Sequence, residues 1–160
     1  MLRPLPILLF LLATTASAEP AIDLVRVIKS EHKLQLISSG VVRQEFHVVL
    51  GSNPKGHKTQ EGDGKTPEGI YTLDYKKSDS AFYKAFHVSY PNANDVASAK
   101  SRGVNPGGQI MIHGQKNGFG WLASLSQYFD WTNGCIALKN EDMDTLWSSV
   151  KEGTKIEIKP

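Results

Sequence analysis

Apolar and polar positions alternate along much of this chain, and the spacing predicts a mainly β protein. Residues 22–28 (IDLVRVI) and 33–37 (KLQLI) both carry the period-two pattern of half-buried strands. Ser38-Ser39-Gly40 reads as a turn. Val42, Phe46, Val48 and Leu50 mark a third strand, with Arg43, Glu45 and His47 on its other face, so an antiparallel meander is expected. Residues 51–69 are rich in Gly, Pro and polar groups and read as a long loop. Strand patterns return at 70–73, 85–89 and 109–113.

Helical signals are fewer. A short helix is expected around Asp95 to Lys100, and one or two turns between Trp121 and Tyr128. Asn140 reads as an N-cap. Behind it Met143, Leu146, Trp147 and Val150 share one helical face, and Glu141, Asp142 and Asp144 favour the positive end of the helix dipole. Gly153 is expected to end that helix, and residues 154–159 close the chain as an alternating strand. The expected architecture is a single domain, a β-sandwich or barrel-like sheet with a few helices.

The first residues change where the protein should act. Met1 and Arg3 precede a short apolar run, and small residues follow, ending Ala16-Ser17-Ala18. That is the pattern of a cleaved export signal over residues 1–18, and the run is too short for a membrane span of about 20 residues. The expected mature domain is 19–160, with no membrane span. Removing Arg3 lowers the formal net charge from +2 to +1. Such balance gives no support for nucleic acid as a partner. Cys135 is the single cysteine, so no disulfide can form within the chain. In an oxidising compartment a lone thiol is a liability unless it is buried or used.

Two readings of Cys135 are open. It is a small buried apolar residue, as free cysteines often are, or it is a nucleophile. A nucleophile needs a base and an oxyanion site. His113 ends an apolar strand and precedes Gly114, so its ring can stand at the rim of a sheet. The 22 residues from His113 to Cys135 are enough for the chain to return. Gly134 would let substrate approach the backbone, with the amides of Gly134 and Cys135 turned toward a carbonyl oxygen. The carbonyl of Gly114 would orient the His113 ring. A histidine cation beside the sulfur would lower the thiol pKa below about 8.5.

Ile112-His113-Gly114 followed by Thr132-Asn133-Gly134-Cys135-Ile136-Ala137-Leu138 resembles the catalytic signature of the L,D-transpeptidase (YkuD) family. The upstream Thr66-Pro67-Glu68-Gly69 resembles that family's Thr-Pro-x-Gly segment. The run Trp131-Thr-Asn-Gly-Cys-Ile-Ala137 is similar to a small Gram-negative periplasmic subgroup. The resemblance implies a β-rich fold, no metal or organic cofactor, a periplasmic location, and acyl transfer on peptidoglycan stem peptides through a thioester. It makes Cys135 the nucleophile and His113 the base. Thr132 and Asn133 of the signature join the Gly134 and Cys135 amides as oxyanion and substrate-binding candidates, and His87, in the strand pattern 85–89, is a further candidate by its place in that strand. Hydrolysis of the same bonds, and plain peptidoglycan binding with an inert thiol, are the alternatives. Two positions depart from the wider family: Asn133 stands where histidine is usual and Ala137 where arginine is usual, which removes a cation near the site.

Other candidates are weaker. Gly62-Asp-Gly-Lys-Thr66 approaches a phosphate-binding loop, but Thr59 stands where the first glycine is required and Pro67 follows at once. His57, His87, His113 and Cys135 are zinc-ligand types without zinc-ligand spacing. His57 and Asp63 read as parts of a polar, solvated loop. Trp121, Tyr128, Phe129 and Trp131 are suited to stacking on sugar, lining a lid or packing the core.

Overall fold

The computed structural model describes residues 20–160, so the expected export signal lies outside it. Eight strands form one sheet. They are β1 (Leu24–Ile28), β2 (Lys33–Ser38), β3 (Val41–His47), β4 (Gly69–Ser80), β5 (Tyr83–Val88), β6 (Met111–His113), β7 (Ile136–Ala137) and β8 (Thr154–Lys159). Helices α1 (Ala93–Ser101), α2 (Ala123–Ser126) and α3 (Asn140–Ser149) complete the single domain. The sheet order is β3-β2-β1-β8-β4-β5-β6-β7.

The expected meander is present: β1 pairs with β2 and β2 with β3, both antiparallel. The C-terminal strand β8 then inserts between β1 and β4, parallel to the first and antiparallel to the second. The sheet curls. Val49, just past β3, exchanges backbone hydrogen bonds of 2.9 and 3.0 Å with Ala137 of β7, so one edge of the sheet meets the other. Such closure removes the bare edges that otherwise invite aggregation.

Period two decides what is buried. Val25 and Val27 of β1, Leu34 and Leu36 of β2, and Ile156 and Ile158 of β8 point into one core with Phe86, Ile112, Ile136 and Leu138. Met143 and Leu146 of α3 close that core from outside the sheet.

Elements β3, β4 and α3 differ from the sequence reading, and β3 stops at His47 with Val42 exposed because its own pairing, not burial, holds it. β4 runs to Ser80, well beyond Leu73, although Lys76-Lys77-Ser78-Asp79 carries no apolar pattern. This stretch is held by pairing with β5 in a long bulged hairpin, not by burial. Asn140 is not the N-cap of α3. Lys139 holds that place without a side-chain hydrogen bond, and the Asn140 carboxamide oxygen accepts from the Gln115 amide at 2.8 Å. A tertiary partner outcompeted the local cap. Helix α3 also ends at Ser149, with Val150 already extended, so Gly153 serves the following turn. By contrast α1 starts at a full capping box, with the Asn92 side chain accepting from Asn94 and Asp95 and the Asp95 carboxylate accepting from the Asn92 amide.

Phe86 is fully buried between the core and the Trp147 ring, with the Lys76 ammonium 5.0 Å above its centre. Truncation to Phe86→Ala is expected to lower the unfolding free energy by about 3–5 kcal/mol, measured from urea unfolding followed by circular dichroism.

Candidate active site

The alternation that fills the core also builds the site. Ile110, just before β6, and Ile112 within it face inward, which leaves Met111 and His113 on the outer face. On the facing segment Ile136 and Leu138 face inward, which leaves Cys135 outward. β6 and β7 are parallel, with Ile112 opposite Ile136 and His113 opposite Ala137. His113 and Cys135 are therefore diagonal neighbours on one face, and both line a cavity of about 550 Å³. The tip of the β4–β5 hairpin walls this cavity with Ser80, Ala81 and Phe82, and Trp131, Thr132 and Asn133 wall it opposite.

His113 is nearly sealed, at 5 % exposure. Its ring lies tilted against Phe82, with centres 4.7 Å apart, and meets Trp131 edge-on at 5.9 Å. Nδ1 lies 2.7 Å from the Gly114 carbonyl oxygen. A carbonyl can only accept, so Nδ1 carries the proton and the neutral ring keeps Nε2 as its acceptor. Burial pushes the imidazole pKa below its ordinary value, against the pull of the Gly114 carbonyl. The ring is neutral at pH 7.

Cys135 is half-buried. Its thiol is 3.7 Å from the Gln109 carbonyl oxygen, which can accept the S–H, and the Met111 amide donates to the sulfur at 3.4 Å. Among the described residues no hydrogen bond joins the sulfur to His113. Burial pushes the thiol pKa above its ordinary value, while the Met111 amide and the Lys58 charge pull it down. The expected histidine cation beside a thiolate is thus replaced by a neutral imidazole and a neutral thiol. The reason is that both groups are too buried to hold charge at rest.

The loop around the cysteine is fixed by its own polar groups. Thr132 is buried; its hydroxyl donates to the Cys135 carbonyl at 2.7 Å and accepts from the Gly134 amide at 3.1 Å. The Gly134 amide is therefore engaged within the loop and is not turned toward a substrate oxygen. Gly134 is also buried, so it does not offer the close substrate approach expected from sequence. It sits at φ +122, and a methyl group there would stand 2.6 Å from the Lys65 carbonyl oxygen. What approaches its bare backbone is the 51–69 loop.

That loop is built from behind. Burial works against ionisation of Asp63, but the Lys58 ammonium at 2.9 Å and the amides of Thr59, Lys65 and Gln60 outweigh it and hold the carboxyl at about 2. The Thr66 hydroxyl accepts from the Gly51 amide at 3.0 Å, and Gly51 bridges to Thr132. The buried Lys58 was not legible as a site residue. Its signal is a lysine five residues from an aspartate in a glycine-rich loop. Lys58 is the cation that acts on the sulfur, while Ala137 is a fully buried rung of the sheet.

The remaining candidates fall elsewhere. Asn133 is exposed at the cavity wall. His87 shares the outer face of β5 but does not line the cavity; it is bound to Asp74 at 2.7 Å and stacked on Tyr75 at 4.6 Å. His57 is not a free loop side chain: it accepts from the Glu68 amide and pairs with Asp95 at 3.1 Å. Among the described residues no three His, Cys, Asp or Glu gather to hold a metal ion.

Residues 22–158 match the YkuD family, described as the L,D-transpeptidase catalytic domain. The chain belongs to that family. Among its relatives is YafK of Escherichia coli, 30% identical over 132 residues, which are 79% of this chain and 46% of that protein. The structure is similar to the helical cell shape determining protein Pgp2 from Campylobacter jejuni, with TM-score 0.65 and 27% identity over 88% of this chain and 48% of the other. An L,D-transpeptidase from Mycobacterium smegmatis shares the fold at TM-score 0.55 and 18% identity, over 86% of this chain and 58% of that one. The chain spans about half the length of YafK and of Pgp2.

Three outcomes test the site. Alkylation of Cys135 by iodoacetamide should be slow at pH 7 and reach half its maximum above the free-thiol value of about 8.5. Lys58→Met, which removes a cation and strands the Asp63 carboxylate, should move that midpoint to still higher pH. Gly134→Ala must displace Lys65 and hold a strained φ, and should cost about 1–3 kcal/mol of stability in urea unfolding.

Proposed function

We propose that this protein is a cysteine-dependent L,D-transpeptidase acting on peptidoglycan stem peptides in the periplasm. The observation that carries the reading is the shared cavity: a half-buried thiol and a neutral imidazole with an unprotonated Nε2, on adjacent parallel strands. Stem peptides are short and extended, and a cavity of about 550 Å³ between the hairpin tip and Trp131 is of the size that such a segment fills.

In the proposed sequence the thiol turns from the Gln109 carbonyl to Nε2 of His113 and passes its proton there. The sulfur attacks the carbonyl carbon of the bond between an L-centre, as in meso-diaminopimelate, and a D-residue. The oxyanion takes the Cys135 amide, since the Gly134 amide is spent on Thr132. Collapse breaks the C–N bond, His113 returns the proton to the departing amine, and a thioester remains on Cys135. The amine of a second stem attacks it and gives a proton to His113; the C–S bond breaks, the ring passes that proton to the departing sulfur, and the new amide leaves a neutral thiol and imidazole. A neutral resting pair suits this cycle, because charge then appears on sulfur and ring together in the transition state. The Gly114 carbonyl holds the ring in its tautomer throughout, and Lys58 favours the thiolate as it forms. No metal or organic cofactor enters these steps. The likeness to Pgp2, a helical cell shape determining protein, supports an effect on the wall at the level of cell shape.

Purified wall incubated with the protein should yield new cross-links in its muropeptides. Cys135→Ala should abolish them while the circular dichroism spectrum stays unchanged, and His113→Gln should cut the rate by about 10²–10⁴-fold. Shortened stems without new cross-links would assign hydrolysis instead. Full activity in the Cys135→Ala protein would remove the site altogether.

A further inference from the structure

A second cavity, also of about 550 Å³, lies beside the first. The two meet along one stretch of chain: Gln127 to Asp130 line the second, and Trp131 to Asn133 line the first. Nothing in the proposed acyl transfer uses it. We propose that it binds the glycan of the same polymer, seating N-acylated pyranose rings while the attached stem lies against Cys135. This rests on the reading of the chain as a peptidoglycan enzyme.

The lining has the chemistry of a saccharide site. Tyr128 and Phe129 are adjacent and turned to solvent, at 78 and 65 % exposure, where apolar rings are otherwise disfavoured. Aromatic faces are electron-rich and attract the weakly positive C–H face of a sugar ring. Around them stand groups that both donate and accept. The Asp130 carboxylate is held by the His32 ring at 3.0 Å and by the Leu50 amide at 2.8 Å. His47 Nε2 meets the Gln127 carbonyl oxygen at 3.0 Å, which leaves Nδ1 to accept. The Lys139 ammonium, also in the lining, makes no hydrogen bond or salt bridge among the described residues. Gln127 is buried to 7 % exposure, and both polar atoms of its amide lack a partner among the described residues. Hydroxyl and acetamido groups satisfy such a mixed set, whereas a phosphate or a carboxylate cluster would meet Asp130.

Charge argues against a membrane surface as the occupant. Residues 115–131 carry Lys116 and Asp130 and no other Asp, Glu, Lys or Arg, so the aromatic segment has no cationic excess to draw it to anionic lipid. Continuity argues for the polymer. A strand seated on Tyr128 and Phe129 passes directly to Trp131 at the wall of the reaction cavity, so one molecule can occupy both cavities.

The test uses the full chain and a tetramer of β-1,4-linked N-acetylglucosamine, followed by amide chemical shifts. The expected result is saturable shifts at Tyr128, Phe129 and Lys139, equal in the Cys135→Ala protein. Tyr128→Ala/Phe129→Ala should weaken binding by about tenfold. It should slow turnover of intact wall while leaving turnover of a free stem tetrapeptide unchanged. Either single variant serves if the double variant unfolds. No saturable shift in the unsubstituted protein, unchanged binding in the ring variants, or an equal loss on the free tetrapeptide would each overturn the proposal. Binding to neutral or anionic lipid vesicles in place of the tetramer would do the same. Because sugar binding needs no thiol, failure of acyl transfer reads out separately from failure of this site.

Discussion

The structure depends on one short parallel pairing. Two rungs, Ile112 to Ile136 and His113 to Ala137, join β6 to β7. The Leu138 amide adds a bond of 2.9 Å to the His113 carbonyl, and Val49 clamps Ala137 from the other side. A two-residue strand has little stability of its own. It is held because Ile112, Ile136 and Leu138 are fully buried in the same core. The core therefore fixes the register. Slipping β7 by one residue would turn Cys135 inward and Ile136 outward.

Around that pairing the chain spends its polar residues on holding backbone. Thr132 satisfies the cysteine loop, Asp63 the loop behind it, and Asn140 the chain after His113. The sulfur and the imidazole are left with few fixed partners, and burial disfavours the charged form of each. Low local polarity is costly for ions at rest. It also strengthens any charge pair that forms during a reaction. The same burial that disfavours a free thiolate at Cys135 suits the sulfur to a bound, aligned carbonyl in the proposed acyl transfer.

The aromatic segment between the two motifs is the other notable allocation. Phe82 and Trp131 frame His113, while Tyr128 and Phe129 face outward. The single 3₁₀ turn Gly120–Leu122 and the four-residue α2 are too short to bury a full face of side chains. Trp131 lines the cavity at Cys135, and Tyr128 and Phe129 line the second cavity.

The sequence by itself determined the strands whose apolar period is strict, the meander, the position of α3's buried face and the family signature around His113 and Cys135. These are local patterns, and local pattern carries core-facing information directly. Tertiary structure decided the rest. The polar half of β4 is a strand because β5 pairs with it. Asn140 gave up a cap for Gln115. Gly134 is glycine because Lys65 lies against it, and the cation acting on the sulfur comes from Lys58, 77 positions upstream in the chain. Each of these is a contact between residues distant in sequence. Periodicity reports which face of an element is buried, but not which other element lies against it.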